Sequence, residues 1–112
     1  MREEIFQKKR EKLVQHLKGT FAIRTKTVEE AFLGVKRELF ATKEMQEYAY
    51  ADDALPIGLG QTISQPSTIA AMLELLSAQK GMKVAEVGSG SGYVTALLSH
   101  IVGEKGHVTA CE

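Results

Sequence analysis

Five residues restrict the fold of this chain more than any others. Gly88-Ser89-Gly90-Ser91-Gly92 sits between an apolar run, Lys83-Val84-Ala85-Glu86-Val87, and a helical pattern from Tyr93 to Val102. In that helix Val94, Leu97, Leu98 and Ile101 share one face, and Gly103 is the stop. Glu104-Lys105-Gly106 then turns the chain into a second strand-like run, His107 to Glu112. Strand, glycine loop, helix, turn and strand make a βαβ unit, whose two strands are parallel. Parallel sheets are normally covered on both faces, so helices from the rest of the chain are expected to cover this one.

Those helices are legible. A first helix is expected from about Glu3 to Lys18, with Phe6, Leu13, Val14 and Leu17 on one stripe and Gly19 as its left-handed terminator. Thr27-Val28-Glu29-Glu30 reads as a capping box that opens a second helix with Val28, Ala31, Phe32 and Val35 inward. A short helical turn is expected around Thr42–Met45. From Tyr48 to Gln65 the periodicity fails, and two acids, two glycines and a proline flank Leu55, Ile57, Leu59 and Ile63. This reads as an ordered loop, of a length that is usually functional or disordered. A third helix follows with Pro66 in its first turn and Ile69, Met72, Leu73 and Leu76 on one face, closing at Lys80-Gly81. The expected organisation is a single partial α/β domain. It comprises N-terminal helices over 1–47, a substrate loop over 48–66, and a helix plus βαβ unit over 67–112.

Composition narrows the function classes. The 112 residues are 44% hydrophobic and 25% charged, which suits a globular domain and no disordered tail or coiled coil. Fourteen basic and fourteen acidic residues cancel, so no overall basic field recruits nucleic acid. Residues 1–47 hold eleven Lys/Arg against eight Glu, and residues 48–112 three against six acids, which reads as solvated helix faces. No apolar run approaches the ~20 residues of a membrane span, and the charged N-terminus is unlike a secretory signal. The expected location is cytoplasmic. One cysteine, Cys111, makes no internal disulfide or metal cluster and is expected to point into the core. His16, His100 and His107 are scattered and read as solvent-facing or satisfied, and Tyr93 reads as packing either in the core or near a ligand.

The glycine loop offers turning backbone and the unpaired N–H groups of a helix N-terminus. It is not the dinucleotide fingerprint, because the third glycine of G-x-G-x-x-G would fall on Tyr93. It lacks the lysine of a P-loop and the serine spacing of a nucleophile elbow. Two acids frame it. Glu86 stands two residues before Gly88 in a strand expected to be buried, and suits an ammonium or N–H donor. Glu112 ends the second strand, where a carboxylate can accept from both hydroxyls of a ribose. A ligand with a ribose and an amino-acid tail fits both, and S-adenosylmethionine is such a ligand.

Longer stretches carry a resemblance. Ala49-Tyr50-Ala51-Asp52, Leu55-Pro56-Ile57-Gly58, Gly60-Gln61-Thr62-Ile63-Ser64-Gln65-Pro66 and Val84 to Tyr93 together closely resemble the protein-L-isoaspartate O-methyltransferases. The Gly60–Pro66 segment is specific to that family, whereas the glycine loop is shared by many class I methyltransferases. The resemblance implies a class I S-adenosylmethionine-dependent methyltransferase (Rossmann-like) fold, truncated after its second strand and preceded by N-terminal helices. It implies methyl transfer from S-adenosyl-L-methionine to the carboxylate of L-isoaspartyl residues in damaged proteins. Ser64 takes the place of the family's active-site residue. Thr62, Ile63 and Gln65 shape the substrate site, and Glu86, Gly88, Ser89, Gly90 and Glu112 line the cofactor. No metal is implied. Two departures stand out. Val35-Lys36-Arg37-Glu38-Leu39-Phe40 lacks a proline before its arginine, which is expected to loosen that turn. Asp53-Ala54 replaces a basic residue and a proline, which affects fine substrate contacts.

The chemistry suits the residues present. A carboxylate is ionised at neutral pH and needs no general base, so the work is positioning. Ser64 would orient the carboxylate, or serve as a plain helix N-cap. Competing readings are a non-catalytic cofactor-binding or interaction module and a class I methyltransferase for another substrate such as RNA. Neutral charge and the Gly60–Pro66 motif weigh against RNA. With only one neighbour, the Lys83–Val87 strand would keep a free edge, which invites self-association.

Overall fold

The computed structural model describes residues 2–112. Helix α1 spans Arg2–Gly19 and buries Arg10, Leu13, Val14 and Leu17, with Phe6 half-buried on the same side. The helix ends at Gly19 as expected, but Gly19 is not the left-handed residue. The chain leaves through Phe21 at φ 65, where the Ala22 and Ile23 amides return to the Leu17 carbonyl at 2.9 and 3.0 Å. Helix α2 spans Lys26–Gly34 and buries Val28, Ala31 and Phe32 as expected. Its cap is Thr25, not Thr27. The Thr25 hydroxyl accepts from the Val28 amide at 3.3 Å, and the buried Glu74 carboxylate accepts from the Arg24 and Thr25 amides at 2.6 and 2.8 Å. Tertiary contact with Glu74 thus selects the earlier of two threonines. Two 3₁₀ turns follow, Arg37–Phe40 and Lys43–Tyr48. Lys36, at the position of the missing proline, takes φ −86, and the turn after it is closed by the Leu39 amide on the Lys36 carbonyl at 3.0 Å.

The segment expected to be an ordered loop contains a hairpin. Strand β1, Leu55–Gly58, pairs antiparallel with β2, Gln61–Ile63, with Leu55 opposite Ile63. Those two residues are buried, Ile57 is half-buried, and Leu59 at the tip is fully exposed. Helix α3, Pro66–Leu76, begins with its proline in the first turn but ends four residues early, because Ser77 turns left-handed at φ 56. It buries Ile69, Ala70 and Leu73, while Met72, Leu75 and Leu76 are exposed. Periodicity named the face correctly for Ile69 and Leu73 and wrongly for Met72 and Leu76.

Strand β3, Lys83–Val87, runs parallel to β4, His107–Cys111, with Val84 opposite Val108 and Val87 opposite Cys111. Helix α4, Tyr93–Val102, crosses between them and buries Tyr93, Leu97, Leu98, Ile101 and Val102. It lies against both strands, and α2 packs over it. The expectation of a sheet covered on both faces fails. Along β3, half-buried Val84 and Glu86 alternate with exposed Lys83, Ala85 and Val87. Cys111 is likewise exposed and not in the core, because it shares a register position with Val87 on the uncovered side. Glu86 therefore stands on a half-covered strand. The core lies instead where Leu17, Val28, Ala31, Phe32, Tyr93, Leu97 and Leu98 meet between the helices.

Candidate functional site

The glycine loop follows β3 directly. Gly88, Gly90 and Gly92 have φ of 80, 53 and 90, which β-carbon-bearing residues rarely adopt. Two inward bonds shape the loop: the Gly88 and Ser89 amides donate to the Cys111 carbonyl at 2.6 and 3.2 Å. The Gly92 amide closes a turn on the Ser89 carbonyl at 2.9 Å, and the Ser91 hydroxyl accepts from the Tyr93 amide at 3.2 Å. A side chain at Gly88 or Gly90 would meet nothing within 4 Å, so the loop backbone faces open space.

The two framing acids differ. Glu112 is exposed, and one of its carboxylate oxygens accepts from the Ser89 hydroxyl at 3.2 Å. It stands at the loop with acceptor capacity to spare. Glu86 turns towards α4, where its carboxylate accepts from the Thr95 hydroxyl. The open loop and Glu112 fit a ligand carrying a ribose, while Glu86 is already partly engaged.

The Ser64 segment lies between β2 and α3. Ser64 and Thr62 are exposed, Gln65 is half-buried, and Ile63 is buried in the core. Ile63 thus anchors the segment, leaving its polar neighbours outward. Ser64 is not a helix cap: Gln65 holds that position and makes no side-chain capping bond. The first turn is capped from a distance by Asp52, whose carboxylate accepts from the Ser67 amide at 2.8 Å, while the Gln65 side-chain amide donates to the Asp52 carbonyl at 2.9 Å.

Arg37 is the residue that sequence reasoning passed over. It has no solvent exposure. Its Nε donates to the Ala49 carbonyl at 2.7 Å, and its Nη2 to the Asp53 and Ser64 carbonyls at 3.4 and 3.2 Å. The guanidinium also lies 5.0 Å from the centre of the Tyr93 ring. One side chain therefore touches both the Ser64 segment and the residue that follows the glycine loop. Tyr93 is 1% exposed and packs on Phe32 and Phe40, so it belongs to the core.

Beside it is a buried polar cluster. Arg10 pairs with Glu38 at 3.3 Å, and the Tyr50 hydroxyl donates to Glu38 while accepting from Arg10 Nε at 2.8 Å and from the Arg37 amide at 3.1 Å. Burial, reinforced by the bond to Glu38, raises the Tyr50 pKa. Desolvation opposes the Arg10 charge, but Tyr50 and Glu38 outweigh it and raise the Arg10 pKa. The motif Arg37-Glu38 was the available signal, because two adjacent charges before an apolar pair must both find partners if the segment is buried.

Among the described residues no three His, Cys, Asp or Glu side chains gather as a metal site. His16 is largely exposed, 4.0 Å from Asp52. A concavity of about 770 Å³ between α2 and α4, lined by Thr27, Glu30, Leu33, Lys80 and His100, contains none of the candidate site residues. Among the described residues no helix is long and apolar enough to cross a membrane.

The sequence model of the family described as Protein-L-isoaspartate(D-aspartate) O-methyltransferase (PCMT) matches residues 8–112. A Methanopyrus kandleri protein named Protein-L-isoaspartate O-methyltransferase is 44% identical over 110 residues, covering 98% of this chain and 49% of the relative. One of the same name from Ignicoccus hospitalis is 47% identical over 106 residues, covering 95% and 50%. A solved protein-L-isoaspartate O-methyltransferase superposes with a TM-score of 0.78 at 39% identity, covering 90% of this chain and 33% of that one. A Plasmodium falciparum structure named for the same activity, in complex with S-adenosyl-L-homocysteine, gives 0.77 at 30% identity, covering 88% and 46%. The chain spans about half the length of the curated relatives it matches. Glycine loop, Ser64 segment and buried arginine all fall inside the matched region, and the chain belongs to the protein-L-isoaspartate(D-aspartate) O-methyltransferase family.

Proposed function

We propose that this chain is the N-terminal half of a class I, Rossmann-like methyltransferase domain that methylates the carboxylate of L-isoaspartyl residues in damaged proteins. In this reading residues 48–66 meet the substrate and residues 67–112 supply the first cofactor-binding unit. S-adenosyl-L-methionine, when bound, supplies a methyl group on a cationic sulfonium. Gly88, Ser89 and Gly90 let the backbone approach that ligand, and Glu112 accepts from its ribose hydroxyls. Glu86 supports the loop through Thr95. Ser64, with Thr62 and Gln65 beside it, donates to the acceptor carboxylate and orients it, and no proton needs removal first.

The observation that carries the reading is the open glycine loop beside the exposed Glu112 carboxylate. The test is calorimetric titration of S-adenosylhomocysteine into the folded chain and into Glu112→Ala. Binding that weakens at least about tenfold in the variant is expected, the size of one hydrogen bond to a charged group. Absent binding, or binding indifferent to Glu112, overturns the assignment of the loop.

The uncovered side of β3 supports a second property. Among the described residues β3 pairs only with β4, and Val87 at its end is 84% exposed. This free edge favours association between copies of the chain.

A further inference from the structure

Buried charges in proteins are normally paired with an opposite charge. Arg37 is not. It is wholly buried, its three hydrogen bonds go to neutral carbonyls, and its Nη1 has no partner among the described residues. Neither neighbouring acid touches it, although the Asp52 charge acts on it from a distance. Glu38 is taken by Arg10 and Tyr50, and Asp52 by the Ser67 amide. Desolvation lowers the Arg37 pKa, yet a guanidinium stays protonated at neutral pH. A fixed positive charge therefore lies 3.2 Å from the Ser64 carbonyl, beneath an exposed serine at the start of α3.

Physical economy argues that such a charge is kept for an anion. A cation without an acid in contact is costly in a core, and a carbonyl-holding role alone could be filled by a neutral donor. Its position also distinguishes it from a general surface lysine. Low-dielectric surroundings screen it weakly, and the carbonyls of Ala49, Asp53 and Ser64 fix it in place. We propose that Arg37 is a positioning residue for carboxylate recognition: it holds the Ser64 segment by its carbonyl and makes that end of α3 receptive to an anionic acceptor over a neutral one. This rests on the reading that Ser64 meets the acceptor.

The local field can be read without cofactor or turnover. In a Cys111→Ala background, which removes the other exposed thiol, Ser64→Cys places a titratable probe at the site. Its pKa is measured from the pH dependence of alkylation by iodoacetamide, with Arg37 intact and in Arg37→Gln. The expected result is a thiol titrating ~0.5–1 pH unit lower with Arg37 than with Arg37→Gln, as a unit charge several ångströms away produces in a partly aqueous site. Equal values in two proteins with native circular dichroism overturn the proposal. Should Arg37→Gln fail to fold, Arg37→Met serves as the neutral comparison and the same two outcomes decide, because the N-terminus of α3 lowers a nearby thiol by itself and only the difference between charged and neutral proteins reports Arg37. Because S-adenosylhomocysteine is not involved, a failed cofactor titration and a failed thiol shift are separate results.

Discussion

Burial pushes the Tyr93 phenol up to about 12, although the Arg37 guanidinium over its ring pulls the other way. An unfolded tyrosine titrates near 10. Between those values the unfolded chain releases a proton that the folded chain keeps. The contribution of Tyr93 to stability is thus complete below about pH 10 and is lost as pH rises to about 12, amounting to about 2–3 kcal/mol. Urea denaturation at stepped alkaline pH should show this fall, and Tyr93→Phe should flatten it. Equal slopes in the two proteins would contradict the assignment. Single residues were only partly legible. Ser64, Glu86 and Glu112 could be named because motif positions mark them. Thr25 and Arg37 could not, because each is selected by a partner distant in sequence: Glu74 for Thr25, and the Ser64 and Asp53 carbonyls for Arg37.

Helix ends show the same division. The interior of α1 follows from its apolar stripe, but its exit is made by Phe21 at φ 65 with its ring 77% exposed. A left-handed residue with a β-carbon is strained by roughly 1–2 kcal/mol, and glycine is not. Phe21→Gly removes that strain and gives up little packing, at some entropic cost in the unfolded chain. We expect a gain of up to about 1 kcal/mol, seen as a higher urea midpoint at an unchanged denaturant slope. A lower midpoint would mean that the exposed ring makes contacts that matter. The β1–β2 hairpin was missed because strands of four and three residues around Gly58-Leu59-Gly60 are too short to show alternation. The parallel pair was found because a glycine loop between an apolar run and an amphipathic helix leaves few other arrangements.

Across the whole molecule, the helices gather on one side. Helix α4 covers one face of the β3–β4 sheet and α2 covers α4, while Ala85, Val87 and Cys111 stay exposed. Helix α3 adds exposed Met72, Leu75 and Leu76. A molecule with a free strand edge and this much exposed apolar surface should associate. Light scattering over a concentration series is expected to show mass rising above that of one chain. Val87→Lys, which puts a charge on the edge, should shift the onset to higher concentration. A monomer throughout the series would refute the edge as an association surface.

Local rules and long-range contacts divided the work. Chain periodicity, proline in the first turn of α3, and the glycine loop were enough to place four helices and the parallel strand pair, since each depends on neighbours a few residues away. The glycine loop also brought Gly88 and Glu112 forward as candidates, and the resemblance of the Gly60–Pro66 segment brought Ser64. Which sheet face stays bare, which threonine caps α2, and where Cys111 points were decided by packing between segments far apart in the chain. Arg37 is the clearest case. Its backbone sits in a short 3₁₀ turn whose local pattern shows two adjacent charges but not their partners, and its side chain reaches from there to Ala49, Asp53, Ser64 and the Tyr93 ring. A buried cation is tolerable only where folding has already assembled its acceptors, and those acceptors lie 12 to 27 residues away.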